Sequence, residues 1–363
     1  MARPLGLVGV MSTRRAGGYP FPEGGYFRGL MRAGRRLGIK VIVFSPLDID
    51  WASGTVPGYT HNGSGWRVRR YPVPRVVYDR IFPSRGSWQL YWNSVGRMRR
   101  TFHVRFMGRG LRGKWQFHRI ARRFEDLREH IPETRMITGT GIVLRMLAKH
   151  GIVYIKPVFG SGGKGIVRIV RRGAMYSVQF SGRGGRRMVS AAGLSALLAG
   201  TRRRYVVQQG LDLNYLAGSP YDVRSIVQKN GEGKWQVTGK AARIGRRHSI
   251  TSNLHTGGYA RTVPAVLQRY FPDRAEEIEQ EIDRLAIRVA EVMEQKAGPL
   301  CDLGLDMGVD RQGKVWLLEV NSKPGRRVFR HTGDRQARWL SVATPMAYAR
   351  YLLEQRSRGR KST

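Results

Sequence analysis

Asp306, Glu319 and Asn321 put three hard oxygen donors into one short stretch of sequence. Asp306 leaves an apolar strand, Gln312-Gly313 supplies a turn, and Val315 to Val320 runs back, so a hairpin returns Glu319 beside Asp306. Residues two apart on a strand share a face, so Glu319 and Asn321 point one way while Val320 packs behind them. Mg²⁺ takes a few carboxylate or amide oxygens and completes its shell with water and phosphates. The pattern therefore reads as a Mg²⁺-nucleotide site, with an ordinary hairpin of solvated acids as the alternative.

A second set is cationic. Gly160-Ser161-Gly162-Gly163-Lys164-Gly165 lies between two apolar strands, where amides unshielded by a Cβ fold over phosphates. It matches G-x-G-x-x-G formally, but the β-branched Ile166 to Val170 follows where a dinucleotide-binding fold needs a helix. Lys164 is followed by Gly165 and not by Ser or Thr, which excludes the P-loop, and no H-R-D or D-F-G accompanies the loop as a protein kinase requires. A structural glycine hairpin is the alternative. Lys156 ends the preceding strand, four residues before Gly160, and Lys114 is a second candidate cation. A buried ammonium is costly without an anion, so a strand-end lysine beside this loop makes sense with bound phosphate. No Ser-His-Asp or Cys-His set is evident.

The 363 residues, 41% hydrophobic, suffice for a large core in two or three lobes. No apolar run reaches the roughly 18 residues of a membrane span, and Met1-Ala2-Arg3-Pro4 leads straight into a strand, so neither a span nor a classical secretion signal is expected. The single Cys301 excludes an internal disulfide, fits a reducing compartment and reads as a small buried residue next to the hairpin. With 65 basic and 25 acidic residues the formal charge is +40, more than one nucleotide pocket needs. A field of that size attracts nucleic acid, anionic polymers or acidic surfaces.

Leu5 to Val10, the helix Gly24 to Leu37 and Ile39 to Phe44 open as β-α-β, and Arg75 to Tyr78 adds a strand after the Gly-, Pro- and polar-rich Trp51 to Pro74. Residues 1–110 are thus expected to be a small α/β domain. Trp88 to Lys114 interleaves aromatics with arginines and reads as a packed connector, with a nucleic-acid clamp as the alternative. A helix over Trp115 to Glu129, a strand after Ile131-Pro132-Glu133-Thr134, and a helix over Ile142 to His150 follow. Next come the strands Ile152 to Pro157, Ile166 to Val170, Tyr205 to Gln208, Asp222 to Lys229 and Trp235 to Ala242. Arg274 to Lys296 is amphipathic, with Ile278, Ile282, Leu285, Val289 and Val292 at helical spacing. Pro345 to Leu353 reads as a closing helix with Thr344 as N-cap, and Arg356 to Thr363 as a basic frayed tail.

Lys114, Ile131-Pro132-Glu133-Thr134, Tyr154-Ile155-Lys156-Pro157, the Gly160 to Gly165 loop, and Asp306, Glu319 and Asn321 together resemble an ATP-grasp fold. Phe44-Ser45-Pro46-Leu47-Asp48, Asp222-Val223-Arg224 and Ser252-Asn253-Leu254-His255-Thr256-Gly257-Gly258 resemble, more narrowly, the YheC/YheD-like endospore coat-associated family. Asp222 to Arg224, Asn253 to Gly258, and Glu319 to Ser322 with Pro324-Gly325 are also similar to glutamate-adding ligases of the ribosomal S6-modifying type. The resemblance implies an α/β N-terminal domain followed by an α+β ATP-grasp domain over 111–355, with a small lobe at about 140–210 and a basic tail at 356–363. Nucleotide would lie between two antiparallel sheets. Lys156 and Lys114 would contact phosphates and Gly162, Gly163 and Gly165 would close over them. The backbone from Gln208 through Gln209 and Gly210 to Leu211 would read adenine, although glutamines stand where many members carry an acid. Arg224 and Arg243 would face the γ-phosphate or a substrate carboxylate, and Asn253 would link phosphate to metal. Asp306, Glu319 and Asn321 would hold Mg²⁺, or Mn²⁺. His255 could act as a base but reads more simply as hydrogen-bonded in its loop.

The implied chemistry is ATP-dependent ligation of an acidic carboxylate to an amine or thiol through an acylphosphate, in the cytoplasm of a sporulating cell or at the endospore coat. Arg326 and Arg327 are expected on the acceptor side. Two other readings stay open: a structural coat protein with vestigial ATP binding, and a binder of nucleic acid, an anionic polymer or the coat surface.

Overall fold

The computed structural model describes residues 5–14, 21–82, 86–108, 110–111, 113–160, 162–182, 185–213, 218–252, 254 and 257–359, with the backbone alone at 356–359. Three sheets organise it. The first contains β1 (Leu7–Ser12), β2 (Lys40–Phe44), β3 (Thr55–His61), β4 (Trp66–Pro72), β5 (Val76–Arg80) and β6 (Arg105–Phe106), in the order β4-β3-β2-β1-β5-β6. Helix α1 (Gly24–Arg36) joins β1 to β2 in parallel, and α2 (Trp88–Phe102) precedes β6, which runs parallel to β5. Much of the Gly- and Pro-rich stretch is the antiparallel ribbon β3–β4. β4 is an edge strand with most of its residues exposed, so no hydrophobic alternation marks it in the sequence. The connector reading of α2 agrees with Arg97 lying over the Trp51 ring and Arg99 over Phe106.

After α3 (Gly113–Ala121) and α4 (Glu125–Arg128), the second sheet is antiparallel: β7 (Thr134–Met136), β8 (Ile152–Pro157), β9 (Val167–Arg172), β10 (Met175–Phe180), β11 (Arg187–Val189) and β12 (Tyr205–Gln209), ordered β11-β10-β9-β8-β12-β7. Helices α5 (Thr140–His150) and α6 (Ala191–Leu198) cover it through Val143, Leu147, Leu194 and Leu198. The expected single helix from Trp115 is broken because Phe124 is extended, its ring packing against the largest core.

The third sheet is also antiparallel: β13 (Tyr221–Lys229), β14 (Trp235–Ile244), β15 (Tyr259–Arg261), β16 (Asp302–Val309) and β17 (Val315–Asn321), ordered β15-β14-β13-β16-β17. Helix α7 (Val263–Tyr270) and then α8 (Ala275–Ala297) follow β15, and α8 buries the five expected apolar residues against the sheet. Two parts of the molecule are thus α+β and one is α/β, as the sequence implied.

Short α9 (Val328–His331) leads to α10 (Arg335–Gly359), which corrects the expected closing helix. α10 begins before Pro345 and carries it inside, so Thr344 is not its cap, and it continues to Gly359 through the start of the supposed tail. Pro345 has no N–H to give the Ser341 carbonyl four residues back. That carbonyl instead accepts from Gln228 Nε2 at 3.1 Å and Arg326 Nε at 2.9 Å. α10 then buries Met346, Tyr348, Ala349 and Leu352 in one core with Val8, Val10, Phe27 and Leu30.

Candidate active site

β16 and β17 are paired so that Asp306 faces Glu319 and Gly304 faces Asn321, with Gly313 turning the chain at φ 84°. The three oxygen-bearing side chains therefore share one face of the sheet. Asp306 lies inside β16 and not at its end, and the register shifts just after it, which bends the hairpin there. Cys301, immediately before β16, is free and buried, and burial pushes its thiol well above the usual range.

The same sheet face carries a ladder of opposite charges. Arg224 sits opposite Asp306 across β13–β16 and grips it with two bonds, 2.5 Å from Nε and 3.0 Å from Nη2. Arg243 sits opposite Asp222 across β14–β13, with bonds of 2.6 and 2.5 Å, and also reaches Asp306 at 3.0 Å. Ser252 Oγ donates to Asp222 at 2.6 Å. Burial alone would raise the Asp306 carboxyl, but the guanidiniums of Arg224 and Arg243 outweigh it and hold the group at about 2. Both Asp306 oxygens are thus engaged by arginines, whereas the bond recorded for Glu319 uses Oε1 alone. Among the described residues no cluster of three His, Cys, Asp or Glu side chains is arranged to hold an ion unaided.

Lys114, in the first turn of α3, ties the glycine loop to the hairpin. Its ammonium donates to the Gly160 carbonyl at 2.7 Å and to Glu319 Oε1 at 3.0 Å. Beside it lies a cavity of about 220 Å³ whose walls include Lys114, Gly160, Glu319 and Asn321. Gly162, Gly163 and Gly165 have φ of 71°, 70° and 73°, a conformation that disfavours any side chain and keeps the loop amides uncovered.

Lys156 is half-buried on β8, and its ammonium donates to Gln208 Oε1 at 2.5 Å. Gln208 is 3% exposed and its amide nitrogen contacts Thr134 Oγ1 at 3.0 Å and His118 Nε2 at 3.2 Å. Burial first, and then Lys156, lowers His118 to about 3, so the imidazole is neutral. Burial also draws the Lys156 ammonium below its ordinary range, Glu319 opposing this and Lys114 adding to it. The Gln208 side chain is therefore an orienter of Lys156. Along the expected adenine edge, the amides of Gln209 and Gly210 go to Glu133 O and Ile152 O at 2.8 Å each, and Leu211 is the next residue along.

Sequence reasoning missed His118 and the contact of Thr134 with Gln208, which became visible only when α3 and β7 met β12, and missed that Asp222 would anchor Arg243. The alternation in Asp222-Val223-Arg224 was the available signal for the ladder. Asn253, His255 and Thr256 lie outside the described residues. Arg326 is corrected: its guanidinium forms an ion pair with Asp302, reaches Tyr78 Oη at 3.2 Å and caps Ser341, so it binds the first and third sheets together. Asp302 is 2% exposed and needs that cation, which withdraws Arg326 from any acceptor. Arg327 is exposed.

Residues 103–352 match the family model described as YheC/D like ATP-grasp. Two proteins of Bacillus subtilis (strain 168) are similar. The endospore coat-associated protein YheD is 28% identical over 341 residues, covering 91% of this chain and 74% of the relative. The endospore coat-associated protein YheC is 25% identical over 357 residues, covering 96% and 97%. Among solved structures, the D-cycloserine synthetase DcsG shares the fold with a TM-score of 0.54 at 15% identity, covering 96% of this chain and 99% of that one. Since the family match spans more than half of its length, the chain belongs to the YheC/D-like ATP-grasp family.

Proposed function

We propose that the chain is an ATP-dependent ligase that joins an acidic carboxylate to an amine or a thiol. The observation that carries this reading is Lys114, whose one ammonium touches both the glycine loop and Glu319, so the phosphate-side and metal-side elements converge on one cleft. Lys156 and Lys114 neutralise phosphate charge, and the open amides around Gly162, Gly163 and Gly165 close over it. Arg224 and Arg243 exchange carboxylate partners for the transferring phosphoryl group or the substrate carboxylate, both of which suit a guanidinium fork.

The residues fit a divalent ion of the hard, oxygen-seeking kind. Glu319 and Asn321 would hold it, with Asp306 joining them where phosphate draws its arginines away, and phosphate oxygens would complete the shell. Bound there, Mg²⁺ or Mn²⁺ would spread the charge developing on the phosphates. In the reaction a carboxylate oxygen attacks the γ-phosphorus and the bond to ADP breaks. The amine or thiol then attacks the acyl carbon, phosphate leaves, and the nucleophile gives up its proton. No nucleophilic side chain is required, because positioning and charge neutralisation do the work.

A panel of carboxylates and amine or thiol acceptors, screened for acceptor-dependent ADP release, tests this. Release with at least one pair supports the ligase. Nucleotide binding with no acceptor-dependent release across the panel favours the second reading, a coat-associated protein with little turnover, which the names of the two Bacillus relatives support. Association with the coat, and origin in the cytoplasm of a sporulating cell, belong to the same proposal. Among the described residues no helix is long and apolar enough to cross a membrane.

A further inference from the structure

The cleft absorbs a small part of the charge of +40. Several exposed arginines elsewhere are matched by acids: Arg284 of α8 by Glu281, Arg288 of α8 by Asp126 of α4, Arg350 of α10 by Glu354, and Arg274, just before α8, by Glu277. Helix α1 has no such pair among the described residues. Gly24 to Arg36 contains no acid, and Arg28, Arg32 and Arg35 stand four and three residues apart, which puts them on one face. Among the described residues none of the three is in an ion pair. Opposite them the β3–β4 turn brings His61, Gly63 and Ser64, and these six residues line an open cavity of about 600 Å³.

The far wall of this groove is fixed. Arg35 Nη1 donates to the His61 carbonyl at 3.0 Å, Gly63 N–H donates to His61 Nδ1 at 3.0 Å, and Asn62 Oδ1 accepts from Ser64 Oγ and Gly65 N–H at 3.0 Å each. Burial, then Arg28 and Arg35, lowers the His61 imidazole below its ordinary range, so the groove's positive charge resides in the guanidiniums. Like charges along one helix face repel, and an anion lying across them relieves this.

We propose that the groove between α1 and the β3–β4 turn is a binding site for a chain of phosphate groups, separate from the nucleotide cleft. Guanidinium forks match phosphate oxygens bidentately. Seven residues of helix span about 10 Å, so the row suits an extended run of anionic groups better than a single phosphate. The lining contains no apolar side chain to receive those of a peptide, and its one ring, the small imidazole of His61, already packs at right angles to Trp66 with centroids 5.0 Å apart, a poor platform for a base. Those two absences favour an oligophosphate over an acidic peptide or a nucleic acid.

The test titrates sodium tripolyphosphate into the full chain carrying Lys156→Met, which weakens the cleft as a competing phosphate site. R28Q/R32Q/R35Q is compared with the charge-matched R119Q/R122Q/R123Q, all six being exposed arginines, and thermal melts check that both fold. The expected result is a loss of about tenfold or more in the groove variant and less than about twofold in the control, with affinity falling as salt rises from about 50 to about 200 mM. Oligoglutamate and oligothymidylate of equal charge should bind about tenfold more weakly than the phosphate chain. Equal losses in the two triple variants would reduce the effect to the general field. Equal or tighter binding of oligoglutamate or of oligothymidylate would hand the groove to an acidic peptide or a nucleic acid instead. Either result overturns the proposal.

Discussion

Gln208 Oε1 lies 2.5 Å from Lys156 Nζ, and this acceptor carries no charge. The amide orients the ammonium without neutralising it, which leaves the cation available to phosphate. Gln208→Glu would place a carboxylate at the same point. ATP affinity is expected to fall by about 1 to 3 kcal/mol while resistance to urea holds or rises, since a half-buried cation gains a partner. Calorimetric titration with Mg-ATP measures the first and urea unfolding the second; unchanged affinity would remove Lys156 from the phosphate site.

Lys156→Met keeps most of the stem and deletes the charge, so ATP binding should weaken by about 2 to 4 kcal/mol. Lys164, in the loop itself, should matter less. A larger loss in Lys164→Met than in Lys156→Met would reverse the two roles.

Glu319→Ala and Asn321→Ala should abolish the Mg²⁺-dependent part of nucleotide binding and leave the melting temperature nearly unchanged, because both side chains are only partly buried at the cleft. Glu319→Ala also releases Lys114 from its 3.0 Å ion pair, so its metal-free affinity for ATP should rise, whereas that of Asn321→Ala should not. Wild-type metal dependence in both variants would sink the metal assignment.

The ladder around Asp306 makes a pH prediction. Its folded value of about 2 lies below the ordinary 3.8, so its contribution is complete above 3.8 and is lost as pH falls through about 2. That difference is worth about 2 kcal/mol. Urea unfolding between pH 5 and pH 2 should therefore fall more steeply for the wild type than for Asp306→Asn; parallel curves would show that the pairing does not operate in solution. Arg224→Ala should cost about 3 kcal/mol, the low end for breaking a buried pair, because Arg243 still holds Asp306.

The parts legible in the sequence were those whose signal is local. Alternation in Glu319-Val320-Asn321 gave a shared face, the apolar period of Ile278 to Val292 gave α8, and Gln312-Gly313 gave the hairpin turn. What escaped was set by contacts distant in sequence. Nothing near Gln208 announces His118, 90 residues away, or that Lys156 will be its acceptor's donor. Pro345 looked like a helix start because its local preference is for one, and only Gln228 and Arg326, arriving from elsewhere, make an interior position tolerable. Arg326 looked like a substrate arginine because its neighbours do not reveal the buried Asp302.

The seating of α10 has a consequence for how the chain comes into being. The core of the first sheet combines Val8, Val10 and Phe27 with Met346, Ala349 and Leu352, so strands emerging early from the ribosome have one apolar face that α1 covers only in part until α10 is made. The amino-terminal layer cannot finish folding during synthesis at its own pace. It must wait, collapsed but incomplete, through more than two hundred residues of further chain, which is the interval in which a chaperone would find it and in which aggregation would compete.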